Sequence, residues 1–185
     1  MNHAQAERAA LCDLLDEVGP DAPTLCAGWR TADLAAHLVL REGRMLAAAG
    51  IGLRPLAGWT AAVQERIKRE HTWPELVARL RHGPPKRSPY GLIPGLDALV
   101  NTVEFFVHHE DVRRARPGWE PRGPLGGLAE VLWRRLPTLA RLTLRRAPVG
   151  VIFRRPDGAR IGIKKAEPAV IVTGEPGELT LVAFG

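Results

Sequence analysis

Apolar residues recur at helical intervals through about residue 146, broken repeatedly by Gly and Pro, and β-like segments take over beyond that point. Such a chain is confined to several moderate helices packed on one another, followed by a small mixed unit. Ala6, Ala9, Ala10, Leu14 and Val18 mark a first helix over residues 2–18, stopped at Gly19-Pro20, where a left-handed turn is tolerated and an amide donor is missing. Thr31 offers an N-cap hydroxyl and Asp33 a first-turn negative charge to a second helix, with Leu34, Leu38 and Met45 inward, running to about Ala49 before Gly50. A third piece covers about 60–71, and Thr72-Trp73-Pro74-Glu75 has the form of a capping box opening a short helix to about Arg81. His82 to Pro89 reads as a loop. After Pro94, the spacing of Leu96, Leu99, Val100, Val103 and Val107 predicts a long helix to about Arg116, ended by Pro117-Gly118. Four main helices predict an antiparallel bundle.

The Pro/Gly-rich stretch from Pro117 to Gly127 is the best candidate boundary, dividing a helical domain (1–118) from a small α+β unit (119–185). The latter is expected to hold a helix over about 128–146 and strand-like segments at Val149–Phe153, Arg160–Lys164, Ala169–Thr173 and Leu179–Phe184, with Pro156-Asp157-Gly158 as a turn. No apolar run reaches the roughly 18 residues needed to span a bilayer. Glu7, Asp13, Asp16 and Glu17 punctuate the first helix, so it reads as amphipathic and not as a secretory signal. A cytoplasmic location is the resulting expectation. Cys12 and Cys26 are too few for a disulfide framework and are expected as free thiols. The net charge of +6 raises a polyanion partner, but only Lys68, Lys86, Lys164 and Lys165 among the 26 basic residues are lysines. Arginine skew with abundant Ala, Gly and Pro is also what a GC-rich genome writes onto any surface, and charge must cluster to mean much.

The segment richest in chemistry is Glu104-Phe105-Phe106-Val107-His108-His109-Glu110-Asp111-Val112-Arg113-Arg114. Glu104 and His108, four apart, project from one helix face and can share an ion. Glu104 sits among Val103, Phe105, Phe106 and Val107, where a bare carboxylate needs a partner or a metal. His37, interleaved with Leu34 and Leu38, supplies a matching group from the second helix. If the two helices pack together, His37, Glu104 and His108 form a His2Glu set with a fourth position left for water or substrate. Asp33 and Asp111, each about a turn from a histidine, are candidates to orient the ligand imidazoles from behind. The plainer alternative is a satisfied core histidine and an ordinary i,i+4 pair. His109, Glu110, Arg113 and Arg114 read as a solvated face with local ion pairs.

The segment Leu25-Cys26-Ala27-Gly28-Trp29-Arg30-Thr31-Ala32-Asp33-Leu34-Ala35-Ala36-His37-Leu38 resembles the C-x-G-W-x-x-x-D-L-x-x-H-L signature of the mycothiol-dependent maleylpyruvate isomerase-like, DinB-related superfamily. The segment Glu104 to Ala115 resembles its second signature, especially in an actinobacterial metal-binding subfamily. The resemblance implies a mostly α fold, a DinB-like four-helix bundle followed by a small C-terminal α+β unit. It also implies one divalent ion, zinc before nickel, held by His37, Glu104 and His108. Related proteins use the ion to activate a low-molecular-weight thiol or water in transfer, isomerisation or hydrolysis. A homodimer is a further family expectation.

The ending Gly174-Glu175-Pro176-Gly177-Glu178-Leu179, with Phe184-Gly185, is similar to the family's G-x-x-x-E-L…G-R ending, without the arginine that would follow. A truncated sequence and a vestigial tail are the two readings. The expected function is thus a metal-dependent enzyme using a mycothiol-like thiol or water on a small anionic substrate, with Arg113 or Arg114 holding the anion. One alternative is a non-catalytic, metal-stabilised binding or sensing protein. The second is a basic nucleic-acid or acidic-partner module using Arg134, Arg135, Arg141, Arg145 and Arg146, without a recognisable nucleic-acid motif beside them.

Overall fold

The computed structural model describes residues 2–43, 55, 57–84 and 96–185, with the backbone alone for 96–100. The chain divides into two compact units, Met1–Glu120 and Pro121–Gly185. It is mostly helical with a small C-terminal sheet. The expected positions of Met45, Ala49, Gly50, Pro89 and Pro94, and the inward faces of Leu96, Leu99 and Val100, lie outside the described residues.

The first unit contains α1 (His3–Val18), α2 (Thr31–Gly43), α3 (Ala57–Glu70), α4 (Trp73–His82) and α5 (Leu96–Arg114). α1 packs along α5, α4 against both α1 and α2, and α3 against α2. Their apolar stripes meet in one core that includes Leu11, Leu15, Leu34, Leu38, Leu80 and Phe105. The short α4 is a full member of it, since Leu76, Val77 and Leu80 are all buried. Its start follows the capping-box expectation: the Thr72 N–H donates to the Glu75 carboxylate at 2.7 Å, satisfying an otherwise orphaned donor.

The start of α2 differs from the expected one. Arg30 is the N-cap, its N–H donating to Asp33 Oδ2 at 2.9 Å and its carbonyl accepting from the Leu34 N–H at 3.1 Å. Thr31 is inside the helix and fully buried, and its hydroxyl donates to the Gly19 carbonyl at 2.6 Å. A hydroxyl buried at a helix junction bonds the nearest free carbonyl, here one left over at the C-terminus of α1.

Polar groups also run through the core. Arg8 of α1 bonds Glu42 of α2, Glu42 accepts from Asn101 Nδ2 of α5 at 2.9 Å, and Arg41 of α2 donates to Asn101 Oδ1. The Arg8 guanidinium also lies 4.6 Å from the centre of the Phe105 ring. His109 and Glu110, expected on a solvated face, are buried instead. His109 Nδ1 meets Glu7 Oε2 at 3.2 Å, and Glu110 receives both Arg113 and Arg114. Helical spacing placed these charges on one stretch, but only the packing of α1 against α5 turned part of it inward.

The second unit begins with α6 (Gly127–Thr143), which runs into a 3-10 turn at Leu144–Arg146. Three strands follow, β1 (Gly150–Arg154), β2 (Arg160–Lys164) and β3 (Ala169–Thr173), in the order β2-β1-β3. β1 pairs antiparallel with β2 and parallel with β3. The β1–β2 turn is the expected Pro156-Asp157-Gly158, closed by the Gly158 N–H on the Arg155 carbonyl at 3.0 Å. Gly150 is required where it stands, because a Cβ there would collide with the Ala166 carbonyl.

The segment Leu179–Phe184, expected as a strand, belongs instead to a helix, α7 (Pro176–Phe184). A short continuous apolar run fits either state, and the deciding features are Pro176 in the first turn and the packing of α7 on α6. Leu179 and Ala183, one turn apart, join Leu136, Ala140 and Phe153 in the second core. Among the described residues no helix is long and apolar enough to cross a membrane.

Leu80 and Phe153 are both fully buried, one in each core. Leu80→Ala is expected to cost about 2–5 kcal/mol and Phe153→Ala about 3–5 kcal/mol, read from urea unfolding curves. A cost under about 1 kcal/mol for either would mean that its core is not packed as described.

Candidate metal centre

The centre is built from three places in the first unit: the loop before α2, the first half of α2, and the second half of α5. The loop turns at Cys26-Ala27-Gly28-Trp29, where the Trp29 N–H donates to the Cys26 carbonyl at 2.9 Å. Gly28 has φ +78°, the value that the third residue of a type II turn requires and that a Cβ resists. The turn sets the Trp29 ring 5.0 Å from the His37 ring.

His37 and His108 approach with ring centroids 5.4 Å apart, nearly edge to face. His37 Nδ1 or Nε2, a Glu104 oxygen and a His108 nitrogen lie within 4.8 Å of one another. His37 is 7% exposed, and burial, then the nearby His108 and Arg41, push its pKa down to about 3. It therefore stays neutral at ordinary pH, with a lone pair available for coordination. Glu104 is the most open of the three, its side chain 26% exposed.

His108 is held from both ends. Its Nδ1 lies 2.9 Å from Asp111 Oδ2, hydrogen-bond distance, and its Nε2 lies 3.7 Å from Glu104 Oε2, beyond that range. Donation from Nδ1 to Asp111 leaves the Nε2 lone pair of the neutral ring directed at a carboxylate. A neutral ring and a carboxylate so placed would suit a cation between them. Tetrahedral zinc, with bonds of about 2.0–2.2 Å, would separate neighbouring ligand atoms by about 3.4 Å. The donor set and its spacing thus fit a divalent ion.

The other sequence-derived residues take distinct places. Asp111 stands behind His108, where an orienting carboxylate belongs. Asp33 has its carboxylate on Lys68 and the Arg30 N–H; burial works to raise its pKa, but the Lys68 bond, the Arg30 bond and the two cations hold it below the ordinary value. Arg113 and Arg114 are committed to Glu110, at 2.8 and 2.6 Å. Arg113 also lines a cavity of about 410 Å³ with Leu14, His109, Arg116 and Trp119.

Two participants escaped the sequence reading. Arg41, one turn beyond His37 on the same face of α2, has its guanidinium 3.6 Å from Glu104 Oε1. The i,i+4 spacing from His37 was the available signal. Cys26 donates from Sγ to Asp111 Oδ2 at 3.4 Å, and Cys26, His108 and Asp111 form a second set of convergent donor atoms. Burial, then the Asp111 charge and hydrogen bond, push the Cys26 thiol up to about 12.

In metal-free protein the depressed His37 pKa makes stability depend on pH. The unfolded chain takes up a proton near pH 6.5 and the folded chain only near 3, so between these values unfolding binds protons and stability falls as pH falls. The loss is expected to begin below about pH 6.5. Chelated His37→Gln, compared with wild type by urea titration from about pH 7 to about 4, should show a shallower decline; an identical one would mean His37 is not buried as a neutral base.

No family model matches the chain, and neither a curated protein nor a solved structure matches it.

Proposed function

We propose that the chain is a divalent-metal protein of the maleylpyruvate isomerase-like, DinB-related kind, with its first unit a DinB-like four-helix bundle. His37, Glu104 and His108 hold one ion, zinc before nickel. The observation that carries this reading is the split of His108 between Asp111 on one nitrogen and Glu104, beyond hydrogen-bond distance, on the other. Three protein ligands leave a coordination position for a low-mass thiol, mycothiol-like, or for water. When bound there, the ion supplies Lewis acidity, lowering the pKa of its thiol or water so that a nucleophile exists near neutral pH.

The chain's own residues divide the remaining work. His37, kept neutral by burial, offers a ready lone pair. Asp111 holds the proton on His108 Nδ1. Arg41, whose guanidinium lies 3.6 Å from Glu104, is better placed than Arg113 or Arg114, both held by Glu110, to meet an anionic group on a small substrate. Trp29 covers His37 and keeps water from that side. A cytoplasmic setting, where thiols stay reduced, suits this chemistry.

Elemental mass spectrometry of the purified chain tests the reading. About one equivalent of zinc or nickel is expected, with affinity reduced at least about 100-fold in His37→Ala and His108→Ala, since each removes one of only three protein ligands. Unchanged metal content in both variants, or none in wild type after reconstitution, sinks it. Thiol titration by calorimetry then separates an enzyme from a metal-stabilised binding or sensing protein, which would show no thiol affinity.

A second reading concerns the other unit. Acidic and basic residues balance in the first unit, so the whole net charge of +6 falls on residues 121–185. Arg141 reaches the Gly162 carbonyl at 3.2 Å and Lys164 the Arg145 carbonyl at 3.0 Å, bringing Arg141, Arg145, Arg146 and Lys164 together where the end of α6 meets the edge strand β2. Such clustering favours a polyanion such as a nucleic-acid backbone. Affinity for duplex DNA should then fall steeply with salt, and Arg145→Ala with Arg146→Ala should lower the log–log slope by about 0.9 for each phosphate left unneutralised. Salt-insensitive binding, or none, would leave these arginines as a solvated surface.

A further inference from the structure

The Leu25-Cys26 dipeptide grips Asp111 by both its main chain and its side chain. The Leu25 N–H donates to the Asp111 carbonyl at 3.1 Å, satisfying one of the four carbonyls left over at the end of α5. The Cys26 thiol donates to Asp111 Oδ2 at 3.4 Å, the oxygen that also faces His108 Nδ1 at 2.9 Å. An ionised carboxylate only accepts, so both neighbours must bring their protons to it. The resulting chain, S–H to carboxylate from one side and N–H to carboxylate from the other, assigns a proton of His108 to Nδ1, so that in the neutral ring the bare nitrogen is Nε2, toward Glu104.

We infer that Cys26 is a positioning residue for the metal centre: its thiol holds the Asp111 carboxylate in the orientation that keeps His108 in its Nδ1–H tautomer. The inference rests on the metal reading above for its consequence, but its geometry does not. The turn makes the interaction durable. The single Thr24 hydroxyl proton is shared between the Trp29 carbonyl at 3.0 Å and the Cys26 carbonyl at 3.3 Å, and Gly28 closes the bend. Cys26 is therefore presented to Asp111 by a braced loop and not by a free side chain. A thiol also suits the distance. Sulfur reaches farther from Cβ than a hydroxyl oxygen, and as a weak donor it leaves the carboxylate basic enough to hold the imidazole proton.

Groups behind metal ligands are commonly worth about 10–100-fold in affinity. Asp111→Asn is expected to weaken zinc binding by about that range, and Cys26→Ala by about 10-fold, with Cys26→Ser recovering only part of the loss because it restores a donor on a shorter reach. Zinc affinity of the full chain is measured by competition with a chromophoric chelator. The tautomer of His108 is read separately, in zinc-free protein at a fixed mildly alkaline pH, from nitrogen–proton correlations of the imidazole ring. Wild type should show Nδ1–H, and Cys26→Ala a mixture richer in Nε2–H.

Unchanged zinc affinity together with an unchanged His108 tautomer in Cys26→Ala overturns the inference. If wild type takes up no zinc, the metal proposal fails by itself, and the tautomer comparison still decides whether Cys26 positions His108. Should Cys26→Ala not fold, Cys26→Val removes the donor while still filling the space with apolar atoms, and the same two readouts apply.

Discussion

A run of buried charged and amide groups ties α1, α2 and α5 together, and the position of the candidate centre depends on it. Arg8 bonds Glu42, Glu42 bonds Asn101, Asn101 bonds Arg41, and Arg41 faces Glu104. Leucine stripes slide past one another at small cost, whereas buried charges must meet their partners. The network therefore sets the rotation and height of α2 relative to α5. Once Arg41 is held at Asn101, His37 one turn earlier is carried to the level of His108. The cluster inherits its alignment from interactions that contain none of its three donor residues except Glu104.

The centre itself is a balance of unlike surroundings for like groups. Two histidines stand with ring centres 5.4 Å apart, yet one is shielded by Trp29 and burial while the other is bracketed by carboxylates. Burial keeps His37 neutral, and Asp111 dictates which nitrogen of His108 carries hydrogen. A ring nitrogen of each lies within 4.8 Å of a Glu104 oxygen. A part-exposed carboxylate, two imidazoles and a cation at the margin form a set that a divalent ion would complete. Coulomb attraction to that ion would offset the repulsion among the donors that the polypeptide otherwise carries.

Much of this was legible from local pattern. Glu104, His108 and Asp111 share a helix face by spacing alone, and His37 stood out as a polar residue among leucines. The capping box at Thr72, the Pro156-Asp157-Gly158 turn and the first three strands rest on interactions between near neighbours in sequence, and local rules read them directly. Leu179–Phe184 reads as a strand by pattern but is helical, because a brief apolar run carries no period of its own. The ion pairs of Glu110 with Arg113 and Arg114 are local and legible, but the burial of His109 and Glu110 was not, because it follows from α1 lying against α5, where His109 meets Glu7.

The sequence by itself determined most of the helices and which residues each could turn to a common face, because backbone hydrogen bonding and side-chain period are short-range properties. Tertiary structure decided the rest. It chose Arg41 over Arg113 and Arg114 as the cation beside the cluster, committed Asp33 to Lys68, and brought Cys26 across the chain to Asp111. These outcomes join residues dozens of positions apart, and their distances follow from how whole helices dock.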